Sequence, residues 1–553
     1  MKKTLLTLLL ISACFVAQAQ QLLLGGELSN SAATSVADID SVMPRMKALG
    51  LNTVLVPAYW EFLEPQEGQY DFTLVDRVME QARSQQLKVV FLWFGAWKNS
   101  MSCYAPLWFK QDVRRFPRAR TATGKPLEIA SAFSPEVLEA DSRAFAALMQ
   151  RISERGSDVV TMVQVENEIG MLESARDHSP LAEAAYRQGV PHALANWLKS
   201  HRQELHPWLK ARLKTLRGGT SWTEAFGDDV YTDEIFMAYY YACYVEQLCQ
   251  AASHYSDLPL YVNAAMNSRG RQPGQYPSAG PLAHLIDLWH AGAPSLLLLA
   301  PDIYDSGFKD WCAQYALSNN RLFIPESRCC ENSGVRALYA FGEHNALGFS
   351  PFAIDEATPQ EAESITRAYS LLKQTERLEI VNQKSANRKS INSKSSWGLL
   401  FDQQDCERVI TDGDLAIVAR HYFTLPWDPR AATLNPWPEG GALLLKLGSD
   451  DYLLAGSGVV VEFKTLSERT QEQHVTLGED GFAALGTKPS SPSRQSFSGS
   501  RCGLGSVDEV CINPDGSLKY LRRNNGDQDH QGRHARIAVG EWKILHIRLY
   551  RYY

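Results

Sequence analysis

Two short stretches place carboxyl groups directly behind apolar runs: Val163-Gln164-Val165-Glu166-Asn167-Glu168-Ile169-Gly170 and Phe323-Ile324-Pro325-Glu326-Ser327. A carboxylate carried into apolar surroundings is costly unless it is paired or hydrogen-bonded. A lone glutamate at a strand end is ordinarily explained by a structural ion pair. Two of them on separate segments fit a different chemistry, in which one carboxyl gives and then takes a proton while the other attacks carbon. Retaining cleavage of a glycosidic bond needs such a pair about 5 Å apart. Glu168 and Glu326 are the candidates for the two roles. By strand alternation Glu166 faces the same way as Glu168 but deeper, as a buried hydrogen-bonding support, or as the acid if the strand ends earlier.

Other side chains could serve this pair. Tyr304, in Pro301-Asp302-Ile303-Tyr304, is placed to donate a hydrogen bond that keeps Glu326 ionised. Tyr59, Trp60, Trp93 and Trp97 gather at two adjacent strand ends, and of these Tyr59 and Trp97 are the candidates for stacking on a sugar face. Asn263 and Asn267 are weaker candidates, amides of a kind that more often cap loops. His344 reads as a surface or supporting residue. The pair Cys329-Cys330 reads as buried thiols, since no second redox element accompanies it.

Residues like these must be held at strand ends, and the chain supplies the strands. From residue 22 to about 375 short apolar runs alternate with amphipathic helical stretches, the pattern of βα units around a parallel sheet. The runs are Leu22 to Leu28, Thr53 to Ala58, Val89 to Phe94, Val159 to Val165, Leu260 to Asn263, Ser295 to Ala300, Leu322 to Pro325 and Ala346 to Phe352. Eight of them predict a closed (β/α)8 barrel over residues 20–380, with a long insertion at about 171–258 that would build a binding wall. Ser134-Pro135 starts a helix that Gly156 stops, and the capping box Thr358-Pro359-Gln360-Glu361 opens the helix expected to close the barrel.

Beyond about residue 380 the texture changes. Lys384 to Ser396 is polar and linker-like, and the rest, 381–553, alternates short β-type runs with turns, which predicts an antiparallel β-sandwich domain. Lys488 to Ser500 reads as a Ser/Pro-rich loop within it.

Composition narrows the partners. The chain is 45% hydrophobic and 21% charged, with a formal charge of -7 and no basic stripe, so a nucleic-acid partner is excluded and a neutral substrate fits. Residues 1–19 read as a signal peptide, with Lys2 and Lys3, an apolar run from Leu5 to Val16, and Ala17-Gln18-Ala19 as cleavage site. An exported protein follows, periplasmic or extracellular. Ile11-Ser12-Ala13-Cys14 also resembles a lipobox, which would make it an outer-membrane lipoprotein anchored at Cys14. No later run has the ~20 apolar residues of a bilayer span. Ten cysteines, nine of them beyond the leader, lack zinc-ribbon or CxxC spacing, so no metal or cofactor is expected. Cys502 with Cys511 is the most plausible local disulfide.

Glu166-Asn167-Glu168 with Glu326 resembles the clan A glycoside hydrolases, in which the Glu after Asn is acid/base and the strand-seven Glu is nucleophile. A narrower likeness follows from Gly25-Gly26-Glu27-Leu28, Val56-Pro57-Ala58-Tyr59-Trp60-Glu61, Gly68-Gln69-Tyr70-Asp71-Phe72, Leu92-Trp93-Phe94-Gly95-Ala96-Trp97-Lys98-Asn99 and Gly348-Phe349-Ser350-Pro351-Phe352. These resemble the barrel of family 35 β-galactosidases, bacterial branch, with an added C-terminal β domain. The resemblance implies exo-acting release of terminal β-galactose from oligosaccharides or plant polysaccharide side chains, without a metal. Carried over, Asn167 would hydrogen-bond the sugar 2-hydroxyl. Ala96 stands where the better-known eukaryotic members carry a carboxylate, so sugar recognition at that wall would fall to Lys98 or Asn99. Two further readings remain open: a clan A endo-glucanase or xylanase, which needs an open cleft, and a catalytically inactive carbohydrate-binding protein on the same scaffold.

Overall fold

The computed structural model describes residues 22–384, 395–425, 427–472 and 499–553. The expected leader at 1–19, nearly all of the polar stretch 384–396 and nearly all of the Ser/Pro-rich segment 488–500 lie outside the described residues. The chain divides into two compact units. One takes Leu23–Cys330 and His344–Ala362, the other Glu331–Glu343 and Glu363–Tyr553 together with Leu22.

The first unit is built on eight parallel strands: β1 (Leu23–Leu24), β2 (Thr53–Tyr59), β3 (Lys88–Phe94), β4 (Val160–Gln164), β5 (Leu260–Ala265), β6 (Leu298–Ile303), β7 (Ile324–Ser327) and β8 (Gly348–Pro351). Each neighbours its successor from β2 to β8, and β8 pairs β1. Strands such as Val54-Leu55-Val56 and Val89-Val90-Phe91-Leu92 are fully buried, which is why they read as continuous apolar runs. The ring closes beyond β1. Leu28 N donates to Leu55 O at 3.0 Å and Leu55 N to Gly26 O at 2.9 Å, while Gly25 N and Glu27 N bond across to Phe349 O and Pro351 O. The structure is a (β/α)8 barrel.

Helices between the strands follow their caps. In α1 (Val36–Ala48) Ser35 accepts from Asp38 N, and α2 (Thr73–Gln85) stops at Gln86 in the left-handed region. α3 (Pro135–Arg155) starts with Ser134 accepting from Val137 N, and buries Val137, Ala140, Ala144, Phe145, Leu148, Met149 and Ile152 at helical spacing before ending at Gly156. The long segment between β4 and β5 holds four short helices and then α4 (Val230–Ser253), buried on most sides. α5 (Ile286–Gly292) and α6 (Phe308–Tyr315) complete the set used below.

The next two helices, α7 (Ser333–His344) and α8 (Pro359–Lys384), group mainly with the C-terminal sheets. The capping box before α8 is present, with Thr358 N donating to Glu361 Oε2 at 2.9 Å. The helix nonetheless belongs to the second unit over most of its length, not to the barrel that it was expected to close. Its contacts give the reason: Gln374 Oε1 accepts from Ile512 N at 3.0 Å, Arg377 donates to Ile512 O, and Ser364 Oγ accepts from Gly334 N of α7 at 3.0 Å. α7 in turn packs closely on strand Ser396–Phe401, where a Cβ at Gly398 would lie 2.3 Å from Tyr339 O. Arg336 to Glu439 at 2.6 Å and Arg408 to Glu343 at 2.9 Å add ion pairs within the unit.

The second unit packs two antiparallel sheets. Numbered onward, β9 (Ser396–Phe401), β12 (Gly440–Gly448), β13 (Asp451–Ser457), β18 (Lys543–Tyr552), β15 (Arg501–Ile512) and β16 (Leu518–Asn524) form one sheet in that order. β10 (Glu407–Asp412), β11 (Leu415–His421), β14 (Val459–Thr465) and β17 (Ala535–Ile537) form the other. Alternate residues such as Val459, Val461 and Phe463 meet Leu444, Leu454, Leu545 and Ile547 in one core, which makes a β-sandwich. The Cys502–Cys511 disulfide is overturned: neither cysteine is bonded to the other, and both are free thiols. Both residues sit in β15, where ~3.3 Å per residue puts them about 30 Å apart. No helix among the described residues is long and apolar enough to cross a membrane.

Candidate active site

The β4 ladder ends at Gln164, and the chain then bends sharply. Glu166 (φ 59°) and Glu168 (φ 48°) both lie in the left-handed region, a conformation that costs a non-glycine residue about 1 kcal/mol or more. The bend is tied down by neighbours. Asn167 N donates to Trp97 O at 3.2 Å, Ser100 N to Glu168 O at 3.1 Å, and Glu168 N to Asn263 Oδ1 at 2.9 Å.

This backbone breaks the alternation that would have faced Glu166 and Glu168 the same way. Glu166 turns into the protein, fully buried. It accepts from Trp97 N at 2.7 Å and is hydrogen-bonded to Asp141, whose own oxygens accept from Trp93 Nε1 at 2.9 Å and Tyr244 OH at 2.7 Å. Burial first, and then the Asp141 charge, raises the Glu166 carboxyl well above its ordinary range. It is a buried hydrogen-bonding support, as expected, although it faces a different way.

Glu168 turns to the barrel mouth. Its Oε2 accepts from Asn99 Nδ2 at 2.6 Å. Carboxyl oxygens of Glu168, Asp302 and Glu326 all lie within 4.8 Å of one another, and the three residues are 6%, 2% and 5% exposed. Two bare charges at about 5 Å repel by about 3 kcal/mol at an effective dielectric of ~20. Burial, and next the Glu326 charge, pushes the Glu168 pKa up to about 7, against the opposing pull of Lys98 and of hydrogen bonds from Asp302 and Asn99. Tyr304 OH donates to Glu326 Oε1, and burial with that neighbouring charge drives the phenol far above its usual pKa. One carboxyl poised to carry a proton near neutrality faces another held by a donor. That is the division of labour an acid/base and a nucleophile require. Among the described residues this is also the one cluster of metal-ligating residue types, and Asn99, Asn263 and Tyr304 each donate to one oxygen of it.

The remaining candidates separate into those at the mouth and those behind it. Tyr304 is 38% exposed beside Glu326, and Asn99 is exposed beside Glu168. Lys98 is 3% exposed, with Nζ 4.8 Å over the Phe94 ring, and it acts on Glu27 and Glu168 through its charge. Asn167 is fully buried, and both polar atoms of its side chain meet no protein partner. Tyr59 and Trp97 do not present stacking faces. Tyr59 is 3% exposed, donates to Asn30 O at 2.9 Å and packs on Phe62, Phe94 and Tyr104. Trp97 is fully buried edge-on to Tyr241 and Tyr244, and Trp60 and Trp93 are equally buried. Apolar rings at β2 and β3 went to barrel packing. Cys329 and Cys330 are half-buried, and burial pushes the Cys329 thiol up to about 12.

Four residues at the site were missed or ranked low. Asp302 lies in β6 two residues before Tyr304, which follows the strand directly, so period-two alternation carried one residue on puts them on the same face. Glu27, 1% exposed, follows Gly25-Gly26 and is hydrogen-bonded to Glu326. Asn263 joins Glu168 N to Asp302, donating to Asp302 Oδ2 at 2.7 Å. Asp141 comes from the middle of α3, and no strand-end signal points to it.

A parallel eight-stranded barrel with acid groups converging at its carboxyl-terminal mouth defines the class of protein: a TIM-barrel scaffold with a hydrolase-like acid pair. Residues 33–234 match the family model described as Beta-galactosidase, glycoside hydrolase family 42, and residues 365–536 match a domain of unknown function, DUF5597. The match is to family 42 and not to family 35, which the motifs resemble; clan A is consistent with it. Three solved β-galactosidases are similar. That of the psychrophilic Marinomonas ef1 shares 15% identity over 65% of this chain and 60% of its own, TM-score 0.44. The enzyme of the Antarctic haloarchaeon Halorubrum lacusprofundi shares 12% over 66% and 63%, TM-score 0.42. That of Rahnella sp. R3 shares 16% over 65% and 56%, TM-score 0.44. The chain thus spans less than two thirds of the length of each. No curated protein matches.

Proposed function

We propose that this chain is a retaining exo-glycosidase of the β-galactosidase type. The observation that carries the reading is the pair Glu168 and Glu326, from different strands, with carboxyl oxygens within 4.8 Å in one barrel mouth. Glu326 attacks the anomeric carbon while Glu168 protonates the departing oxygen; Glu168 then withdraws a proton from the water that releases the sugar. Asn167, with two unpartnered polar atoms, is suited to the sugar 2-hydroxyl, and Lys98 and Asn99 stand on the wall beside it. The substrate class is a terminal β-galactoside of an oligosaccharide or plant polysaccharide side chain. The motifs quoted above support kinship with family 35, the match over 33–234 supports family 42, and β-galactoside hydrolysis is common to both. Lys2-Lys3 and the apolar run behind them support export, with Cys14 as a second anchoring option.

The test is a panel of aryl β-glycosides with wild-type protein and Glu326→Gln, beside unsubstituted glucan and xylan. Turnover of the galactoside, abolished in the variant, is the expected result. Turnover of polymer alone, undiminished activity of Glu326→Gln, or sugar binding without any hydrolysis would each overturn the reading.

A further inference from the structure

Four carboxyl groups share the barrel mouth, those of Glu27, Glu168, Asp302 and Glu326, and each is at most 6% exposed. Lys98 is the positive charge acting on Glu27 and Glu168. With the oxygens of Glu168, Asp302 and Glu326 all within 4.8 Å of one another, three anions cannot coexist there, and at least one carboxyl keeps its proton. Glu326 has to be ionised to attack, and Tyr304 donates to it. Glu168 has to gain and lose a proton. Asp302 takes no part in either transfer, and kept neutral it spares whichever of the two is ionised a second buried charge beside it.

Its surroundings suit that state. Oδ2 accepts from Asn263 Nδ2 at 2.7 Å, Oδ1 is buried and meets no donor, and the carboxyl is hydrogen-bonded to that of Glu168. An acid proton on Oδ1 is the one way that atom can take part in a bond to a carboxylate.

We propose that Asp302 is a positioning residue that stays protonated through the cycle and donates a hydrogen bond to Glu168. The inference rests on the reading of Glu168 as acid/base. Asn263 fixes the geometry, since its one amide holds Glu168 by the backbone and Asp302 by the side chain. When Glu168 passes its proton to the departing oxygen, the new carboxylate receives the Asp302 hydrogen bond. When Glu168 takes a proton from water, it recovers its starting form. Asp302 neither gains nor loses a proton: the one delivered to the aglycone comes from Glu168, and water replaces it. Burial, and then the charges of Glu326, Glu168 and Glu27, raises the Asp302 carboxyl well above its ordinary range, in keeping with this role. The other titratable groups facing the pair are Glu27, Lys98, Tyr261, Tyr304, Tyr315 and Glu326. Burial raises the three tyrosines and Glu27 above their ordinary ranges.

Asp302→Asn and Asp302→Ala separate a neutral donor from a buried charge. The amide keeps a donor toward Glu168 and an acceptor toward Asn263, so kcat should fall a few-fold while the alkaline limb of kcat/KM moves by less than about 0.3 pH unit. The alanine variant removes the donor, and the limb should rise by about one unit. An alkaline limb that drops by a unit or more in Asp302→Asn would mean that a negative charge had been removed, and the proposal would be overturned. So would an unmoved limb in a folded Asp302→Ala. Should that variant not fold, the asparagine arm decides alone. The same titration is read without turnover by NMR of 13Cδ-labelled glutamate, with Glu168→Gln to assign the signal. Failure of the glycosidase reading, seen as no hydrolysis of any glycoside, is thereby kept apart from failure of this one.

Discussion

The hydroxyl of Tyr304 donates to the carboxylate of Glu326 across two adjacent strands, β6 and β7. That donor fixes the orientation of the attacking carboxylate, so Tyr304→Phe should lower kcat by about ten- to a hundredfold, roughly 1.4 to 2.7 kcal/mol of barrier, with little loss of folding stability because the ring is 38% exposed. Steady-state kinetics beside a urea midpoint reads both, and a folded variant with undiminished kcat would refute the positioning role.

Glu168 supplies a pH-dependent quantity, stability. Its folded pKa of about 7 lies above the ordinary value of 4.5, so between these pH values the folded chain binds more protons than the unfolded one. Stability contributed by this group is present below about pH 4.5, is lost as pH rises to about 7, and changes no further above that. At about 1.4 kcal/mol per unit, the loss for this nearly buried group is on the order of 3 kcal/mol. Glu168→Gln should abolish hydrolysis of glycosides with poor leaving groups and yet be more stable than wild type at pH 8. Urea unfolding at pH 5 and pH 8 checks the sign. Equal pH dependence in the two proteins would contradict it.

Gly95 sits where no side chain fits. A Cβ there would lie 2.2 Å from Trp93 Nε1 and 2.8 Å from Glu166 Oε1, between the two groups that hold the buried acid pair of Glu166 and Asp141. Gly95→Ala should therefore destabilise the protein by about 1–3 kcal/mol, the cost of overpacking a filled interior. A urea midpoint within error of wild type would show that the pair has room to give.

The scaffold was legible because parallel strands buried on both faces must be apolar throughout, and runs such as Val89-Val90-Phe91-Leu92 have no other economical reading. Glu168 and Glu326 were legible because a carboxyl behind such a run demands a reason. What the pattern could not supply was the backbone bend after Gln164, since a left-handed Glu166 and Glu168 leave no trace in composition, and alternation was carried to Glu168, beyond the end of the strand. Aromatic rings at strand ends look alike whether they face sugar or core, and the neighbours that buried Tyr59 and Trp97 come from distant segments: Tyr104 for one, Tyr241 and Tyr244 for the other. Edge strand β16 escaped for the opposite reason. Five of its seven residues are exposed, and Lys519, Arg522 and Arg523 break up its apolar positions.

Asn99 and Trp97 lie two residues apart on the same loop, and their substitution should tell wall from core. Asn99 is exposed and donates to Glu168 Oε2 at 2.6 Å, a bond that lowers the Glu168 pKa. Asn99→Ala removes it, so the alkaline limb of kcat/KM should move up by a few tenths of a unit while kcat falls several-fold, and stability should drop by only about 1 kcal/mol, the strain of alanine at φ 50° on an otherwise exposed site. Trp97→Ala empties a fully buried site and should cost about 3–5 kcal/mol of stability. Measured side by side, pH profiles and urea midpoints should dissociate. A normal midpoint for Trp97→Ala with weakened substrate binding would return Trp97 to the sugar wall, from which its packing against Tyr241 and Tyr244 removes it.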